Sequence, residues 1–283
     1  MKRFEYFEPL TLAEASALLA RYAGRAQPLA GGTDLLVELK EQLRRADCVV
    51  NIKRIPGIDR LSFDPQAGLR IGALITAREI ELSEVVQEKY PSLMQAVREL
   101  GSIQVRNRAT IIGNVCRASP SADTLPPLIA DGAMVSIHGP QGSRDVVLED
   151  FFTGPGKTVL KADELVTQLV VPAPAPRSGK VYIKHGRRKA MELATVGVAV
   201  TLTENSEVRI VLGAVAPTPI RARKAEALLR GRRIDGALIE RAGQAAADES
   251  RPIGNVRASA EYRREMVAVL TRRALQRALE SIR

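Results

Sequence analysis

The sequence predicts an α+β chain in three parts, two α/β subdomains followed by a C-terminal domain in which a small antiparallel sheet packs with helices. Three observations lead to this. A βαβ pattern runs from Gln27 to Ile52, with Gly31 and Gly32 at its first turn. Pro56-Gly57 punctuates the chain, and the apolar spacing reorganises after it. Pro172-Ala173-Pro174-Ala175-Pro176 reads as a semi-rigid linker, beyond which strand-like runs give way to helical stripes. The parts are 1–57, 58–176 and 177–283, in keeping with a chain longer than one ordinary domain.

Thr11-Leu12-Ala13-Glu14 has the form of a capping box, where a hydroxyl and a carboxylate satisfy free amides at a helix start. The periodic run behind it predicts a helix to about Tyr22. A short strand, Gln27 to Ala30, precedes the glycine pair and a helix over Asp34 to Arg44 follows it. Asp47-Cys48-Val49-Val50-Asn51-Ile52 is then a second strand, parallel to the first through a right-handed crossover.

In the second part Leu69-Arg70-Ile71-Gly72-Ala73 reads as a strand and Thr76-Ala77-Arg78-Glu79 as another capping box. Pro91 suits the first position of a helix carrying Leu93, Val97 and Leu100, with Gly101 placed to end it. Arg106 to Asp123 reads as a loop of small and polar residues around Ile111-Ile112, a composition that suits a backbone-lined binding wall. A short helix over Thr124 to Ala130 follows it. A hairpin of Ala133 to His138 with Arg144 to Leu148 and a strand over Glu164 to Val171 complete this part. In the third part Val181 to Lys184, Thr195 to Thr203 and Val208 to Val215 form the sheet. The apolar stripes of Ala222 to Leu229, Asp235 to Ala247 and Ser259 to Ile282 predict packing helices.

The 42 Lys and Arg against 32 Asp and Glu leave a formal charge of +10, which attracts anionic ligands or acidic partners. Nucleic acid is the poorest match, because the basic residues are dispersed and there is no tryptophan to stack on bases. Most of the arginines read as a solvated surface. No apolar window is long enough to span a membrane, and Met1-Lys2-Arg3-Phe4-Glu5 does not lead into a signal-peptide stretch, so a cytoplasmic location is expected. Cys48 and Cys116 are the only cysteines and form no C-x-x-C pair, so any redox centre is expected to be organic. His138 and His185 have no His or Cys partner at ligand spacing, which argues against a metal site and a His-based triad.

What remains is Pro28-Leu29-Ala30-Gly31-Gly32-Thr33-Asp34-Leu35-Leu36. Two glycines let the backbone approach a ligand, and Thr33 or Asp34 stands at a helix N-cap, so free amides and the positive helix end face one spot. Glycine at such a turn also serves purely steric needs, and the Rossmann spacing is absent, so the turn alone leaves both readings open. A second glycine loop at Thr110 to Asn114 supplies another wall. Two such walls suit a long diphosphate ligand held between subdomains.

Ala30-Gly31-Gly32-Thr33-Asp34-Leu35 and Thr110-Ile111-Ile112-Gly113-Asn114, followed by Ser119-Pro120 and Asp123, resemble the two flavin signatures of the FAD-binding medium subunits of molybdenum hydroxylases. That family includes carbon monoxide dehydrogenase and bacterial xanthine or nicotinate dehydrogenases. The likeness covers nearly the whole chain, including Asp150-Phe151-Phe152-Thr153-Gly154 and Lys184 with Arg187-Arg188 ahead of Ala194-Thr195-Val196-Gly197. It implies a PCMH-type fold, with FAD bound non-covalently in a cleft between the two α/β subdomains. Main-chain N–H groups of Leu29, Ala30, Gly31, Gly32, Thr33, Asp34 and Leu35 are then expected to hold the pyrophosphate. Thr110, Gly113, Asn114 and Asp123 are expected to line the cofactor, with Val166 near its adenine end and Lys184 near its isoalloxazine end. Leu100 falls where some relatives place an aromatic residue. Asp123 reads equally as a helix cap without ligand contact. Ile112 replaces the family's usual glycine, which predicts a displaced or stiffer second wall.

The resemblance implies a subunit that passes electrons from iron–sulfur clusters on a partner, through flavin, to NAD, a quinone or oxygen. Two separated thiols cannot ligate a cluster, so clusters and molybdenum cofactor are expected only on partner chains, a small iron–sulfur subunit and a large molybdenum-cofactor subunit. A dimer of heterotrimers is the expected assembly. Neither a metal ligand nor a catalytic acid or base is expected here, the flavin supplying the chemistry. Two other readings are a free-standing FAD oxidoreductase on the same fold and a non-catalytic assembly subunit without FAD.

Overall fold

The computed structural model describes residues 1–282. Its first part holds β1 (Glu5–Phe7), α1 (Leu12–Arg21), β2 (Ala26–Leu29), α2 (Leu35–Lys40) and β3 (Cys48–Asn51). β3 lies between β1 and β2 and runs parallel to both, pairing Val49 with Tyr6 and Val50 with Pro28. The expected βαβ unit is therefore present. β1 was not predicted, because three residues are too few to show alternation. Thr11 Oγ1 accepts from the Glu14 amide at 3.1 Å, but the Glu14 carboxylate turns to the Leu10 amide, so only half the expected capping box forms. α2 stops short of the expected Arg44, since Gln42 adopts φ 58° and the Leu43 and Arg44 amides fold back onto the Glu38 carbonyl.

The middle part opens with β4 (Leu61–Asp64) and β5 (Gly68–Gly72), then α3 (Ala77–Leu82), α4 (Glu84–Lys89) and α5 (Pro91–Arg98). It continues through α6 (Ile103–Arg106), α7 (Ile111–Arg117) and α8 (Leu125–Ala130) to β6 (Met134–Gly139), β7 (Gly142–Val147), β8 (Phe152–Gly154), β9 (Lys157–Thr158) and β10 (Leu165–Val171). β4, β5, β10, β6 and β7 form one sheet in that order, every neighbour antiparallel. The Thr76–Glu79 capping box is complete. The segment expected as a loop from Arg106 to Asp123 is a correction, because α7 occupies its centre. Thr110 Oγ1 caps the Gly113 amide at 3.0 Å, and Ile111, Ile112 and Val115 are buried. That cap and burial outweigh the low helix propensity of Gly113 and Asn114.

In the last part β11 (Ser178–His185), β12 (Val196–Thr203), β13 (Val208–Gly213) and β14 (Ile220–Arg221) form an antiparallel sheet in chain order. It is followed by α9 (Arg223–Leu229), α10 (Gly236–Glu249) and α11 (Ala260–Ile282). Alternation along β12 gives the sheet two apolar faces. Val196, Val198 and Val200 pack with Leu229, Ala242 and Leu275, whereas Ala199 joins Tyr182 and Val211 in the core of the rest of the molecule. That larger core is continuous from Leu19 and Val50 to Ile71, Leu125 and Val135. The point near residue 57 thus separates two sheets that share one core. A buried ion pair, Lys180 Nζ to Asp131 Oδ1 at 2.6 Å, ties β11 to the turn after α8.

Candidate functional site

The turn between β2 and α2 forms one wall of a cleft of about 610 Å³, within the range of small-molecule and cofactor sites. Ala30, Gly31, Gly32, Thr33, Asp34 and Leu35 line it. The amides of Gly31 through Leu35 donate to no acceptor among the described residues, and Asp34 stands at the N-cap of α2 without a side-chain cap bond. Five consecutive donors are left for a ligand. Gly32 has φ 77°, a region that costs other residues strain. Gly31 serves a different need. A methyl group there would collide with the Arg108 carbonyl, because the backbones of the two walls touch at this point.

The opposite wall is the start of α7, with Thr110, Gly113 and Asn114 lining the cleft. It is fixed from behind, since the Ala77 amide donates to Ala109 O at 2.8 Å and the Ile111 amide to Ile75 O at 3.1 Å. Asn114 Oδ1 accepts from the Thr124 hydroxyl at 2.7 Å, which orients the carboxamide. Ile112 lines the cleft as well, and at 4% exposed it packs into the main core behind this wall. Arg117, at the end of α7, crosses to the first wall and pairs with Glu38 at 2.7 Å. Two cations also stand at the glycine turn. Lys53 Nζ donates to Ala30 O at 3.2 Å, and burial, then the charge of Arg108, lowers its pKa.

Val166 lines the cleft from β10, where the register shifts between Val166 and Gln168. Leu100 lines it together with Gly101 and Leu193. Three residues named from the sequence stand apart from this lining. Leu29 packs with Leu39 and Val49 in a small core under the turn. Asp123 and Lys184 pair with each other, Nζ to Oδ2 at 2.9 Å, and Asp123 Oδ1 accepts from the Tyr182 hydroxyl at 2.7 Å. Asp123 therefore caps no helix. Burial pushes its carboxyl up to about 6, against the opposing pull of Lys184 and Tyr182. Lys184 also donates to the carbonyls of Glu99 at 3.0 Å and Glu192 at 2.6 Å, each the residue before a leucine of the cleft lining.

Among the lining residues that sequence reasoning did not name are Arg117, Leu160, Lys161 and Leu193. Of these four, Arg117 alone had a signal, its place within the Arg106 to Asp123 segment; the others come from connections whose residue types carry no motif. Among the described residues no group of His, Cys, Asp or Glu is arranged to hold a metal ion, and no helix is long and apolar enough to cross a membrane.

A cleft of this size, with free amides on one wall, Arg44, Arg117 and Lys161 in its lining and apolar side chains such as Leu100, Val166 and Leu193 elsewhere, suits an anionic, partly aromatic cofactor of nucleotide type. The family described as FAD binding domain in molybdopterin dehydrogenase matches residues 2–174, and that described as CO dehydrogenase flavoprotein C-terminal domain matches residues 181–278. The chain belongs to the FAD-binding medium subunits of molybdenum hydroxylases, the flavoprotein subunits of oxidoreductases. It is 33% identical over 280 residues to the carbon monoxide dehydrogenase medium chain of Hydrogenophaga pseudoflava, covering 98% of this chain and 97% of that one. It is 32% identical over 279 residues to the xanthine dehydrogenase FAD-binding subunit of Escherichia coli O157:H7, covering 97% and 95%.

Among solved structures it is similar to carbon monoxide dehydrogenase from Hydrogenophaga pseudoflava in a form lacking the Mo-pyranopterin moiety of its cofactor. The TM-score is 0.95 at 33% identity, over 99% of this chain and 98% of that one. With quinoline 2-oxidoreductase from Pseudomonas putida 86 the TM-score is 0.92 at 27% identity, over 100% of both chains.

Proposed function

We propose that this chain binds one FAD between its two walls and relays electrons from iron–sulfur clusters on a partner subunit to an external acceptor such as NAD, a quinone or oxygen. The reading rests above all on the run of unused amides from Gly31 to Leu35, donors matched to the two phosphates of a dinucleotide. FAD, when bound, supplies the one- and two-electron chemistry. The chain's own residues bind, orient and shield it. Amides 31–35 take the pyrophosphate, and Lys53 and Arg108 offset its charge. Asn114, held by Thr124, offers its Nδ2 to the ligand from the opposite wall. Val166 covers the adenine end, and Leu100 and Leu193 the ring end, with Lys184 fixing the backbone behind both leucines.

In this reading the iron–sulfur clusters and the molybdenum cofactor reside on a small and a large partner subunit, the complex is a dimer of heterotrimers, and it works in the cytoplasm. The purified chain is expected to be yellow or to become so on addition of FAD, and its flavin is expected to be reduced by the hydroxylase substrate only within the complex. A chain that stays colourless with excess FAD would sink the reading. A yellow chain that turns over a substrate alone would favour the free-standing oxidoreductase.

A further inference from the structure

α5 ends in a tight turn at residues 98–101, where Gly101 takes φ 52° and Leu100 and Gly101 enter the cleft lining. The last carbonyls of a helix have no partner inside it, and here cations take them. Arg106 Nη1 donates to the carbonyls of Arg98 at 3.3 Å and Leu100 at 3.1 Å, and Lys184 takes the one between them, Glu99 O. Three successive carbonyls are thus gripped by two side chains.

Arg106 is 7% exposed and stands behind the cleft lining, not in it. A buried guanidinium needs a counter-charge, and Glu81 of α3 supplies it, Nε to Oε2 at 2.8 Å and Nη2 to Oε1 at 3.3 Å. The planar fork therefore does two things at once. One edge holds a carboxylate, and the remaining nitrogen holds the turn that carries Leu100. Glu81 is steadied in turn by Arg78 at 2.9 Å. The start of α7 has separate ties, the main-chain bonds of Ala77 to Ala109 and of Ile111 to Ile75. The glycine turn that carries the free amides has its own as well, since the Leu36 amide closes onto Gly32 O at 3.0 Å.

We propose that Arg106 is a positioning residue for the isoalloxazine ring: through the carbonyls of Arg98 and Leu100 it sets how far Leu100 and Gly101 reach into the cleft, and it takes no part in holding the pyrophosphate. The proposal rests on the reading above, in which Leu100 and Leu193 meet the ring end of FAD. Lysine is a poor substitute, because its three donors leave from one point and cannot serve the Glu81 carboxylate and the turn together in the same geometry. A purely structural arginine would affect every ligand of the cleft alike, whereas a residue that acts through Leu100 affects only ligands that carry the ring.

The test uses the full chain stripped of flavin, titrated with FAD and with ADP, which keeps the adenosine and pyrophosphate and lacks the ring. Arg106→Gln is expected to weaken FAD binding by about tenfold and to leave ADP binding within about twofold of wild type. Arg106→Lys, which keeps the buried charge, is expected to recover part of the FAD affinity, again with ADP unchanged. Thermal unfolding shows which variants are folded, and if Arg106→Gln is not, the FAD-to-ADP ratio of Arg106→Lys decides. FAD and ADP affinities that fall together, or FAD binding within twofold of wild type in the folded variant, overturn the positioning role and leave the flavin reading intact. A wild-type chain that binds ADP but not FAD, or neither, overturns both.

Discussion

Lys184 and Asp123 form a buried ion pair, Nζ to Oδ2 at 2.9 Å, in which the lysine also holds the carbonyls of Glu99 and Glu192. The side chains are 6% and 8% exposed. The sequence suggested a lysine whose charge faces a flavin ring; here its three protons all go to protein acceptors. The ammonium is a clamp on the backbone behind Leu100 and Leu193. Lys184→Met would leave Asp123 buried without a counter-charge, and its expected cost is about 3 to 5 kcal/mol, read by urea denaturation. Adding Asp123→Asn is expected to restore part of that loss. Equal stability of Lys184→Met and wild type would remove the clamp.

The same pair sets a pH dependence. Burial pushes the Asp123 carboxyl from 3.8 up to about 6, so in that window the folded state holds a proton the unfolded state has lost. This group's contribution therefore makes the protein less stable as pH rises from about 4 to about 6, and is flat above. Asp123→Asn is expected to remove that slope. Denaturation midpoints measured between pH 4 and 7 decide it, and parallel profiles for variant and wild type would count against the raised carboxyl.

Gly31 is where the walls touch. Gly31→Ala forces a methyl group against the Arg108 carbonyl, which must move or push the second wall outward. The expected loss is about 1 to 3 kcal/mol of stability, by overpacking, together with weaker flavin retention on gel filtration. A variant as stable and as yellow as wild type would show that the contact yields freely.

Arg108 and Lys53 give the glycine turn its positive charge. Arg108→Ala and Lys53→Ala are each expected to weaken FAD binding by about 1 to 2 kcal/mol, roughly tenfold, measured by fluorescence titration. The wild-type affinity is expected to fall with salt more steeply than that of the double variant. Equal salt slopes would place these cations away from the phosphates.

Much of the secondary structure was legible because it is locally encoded. The Thr76–Glu79 box, Pro91 at the start of α5 and the alternation along β12 each follow from short-range rules. The segment around Ile111 misled for an equally definite reason. The small and polar residues from Arg106 to Asp123 read as a loop, yet the Thr110 cap and the burial of Ile111, Ile112 and Val115 make its centre a helix. Whether a helix gains from burial depends on what lies beneath it, which a sequence window does not contain.

The sequence by itself determined most of the longer strands and helices, the glycine turn from Ala30 to Leu35 and, by its two signatures, the family. Most of the site residues it named do line the cleft, because backbone-lined sites leave a mark in glycines and small polar residues, but they are only part of that lining. Only the tertiary structure decided that Asp123 and Lys184 spend their charges on each other, that Gly31 is required by a carbonyl from the other wall, and that Arg106 joins Glu81 to the turn at Leu100. Each of these joins residues far apart in the chain, and such pairings are fixed by packing rather than by any local pattern.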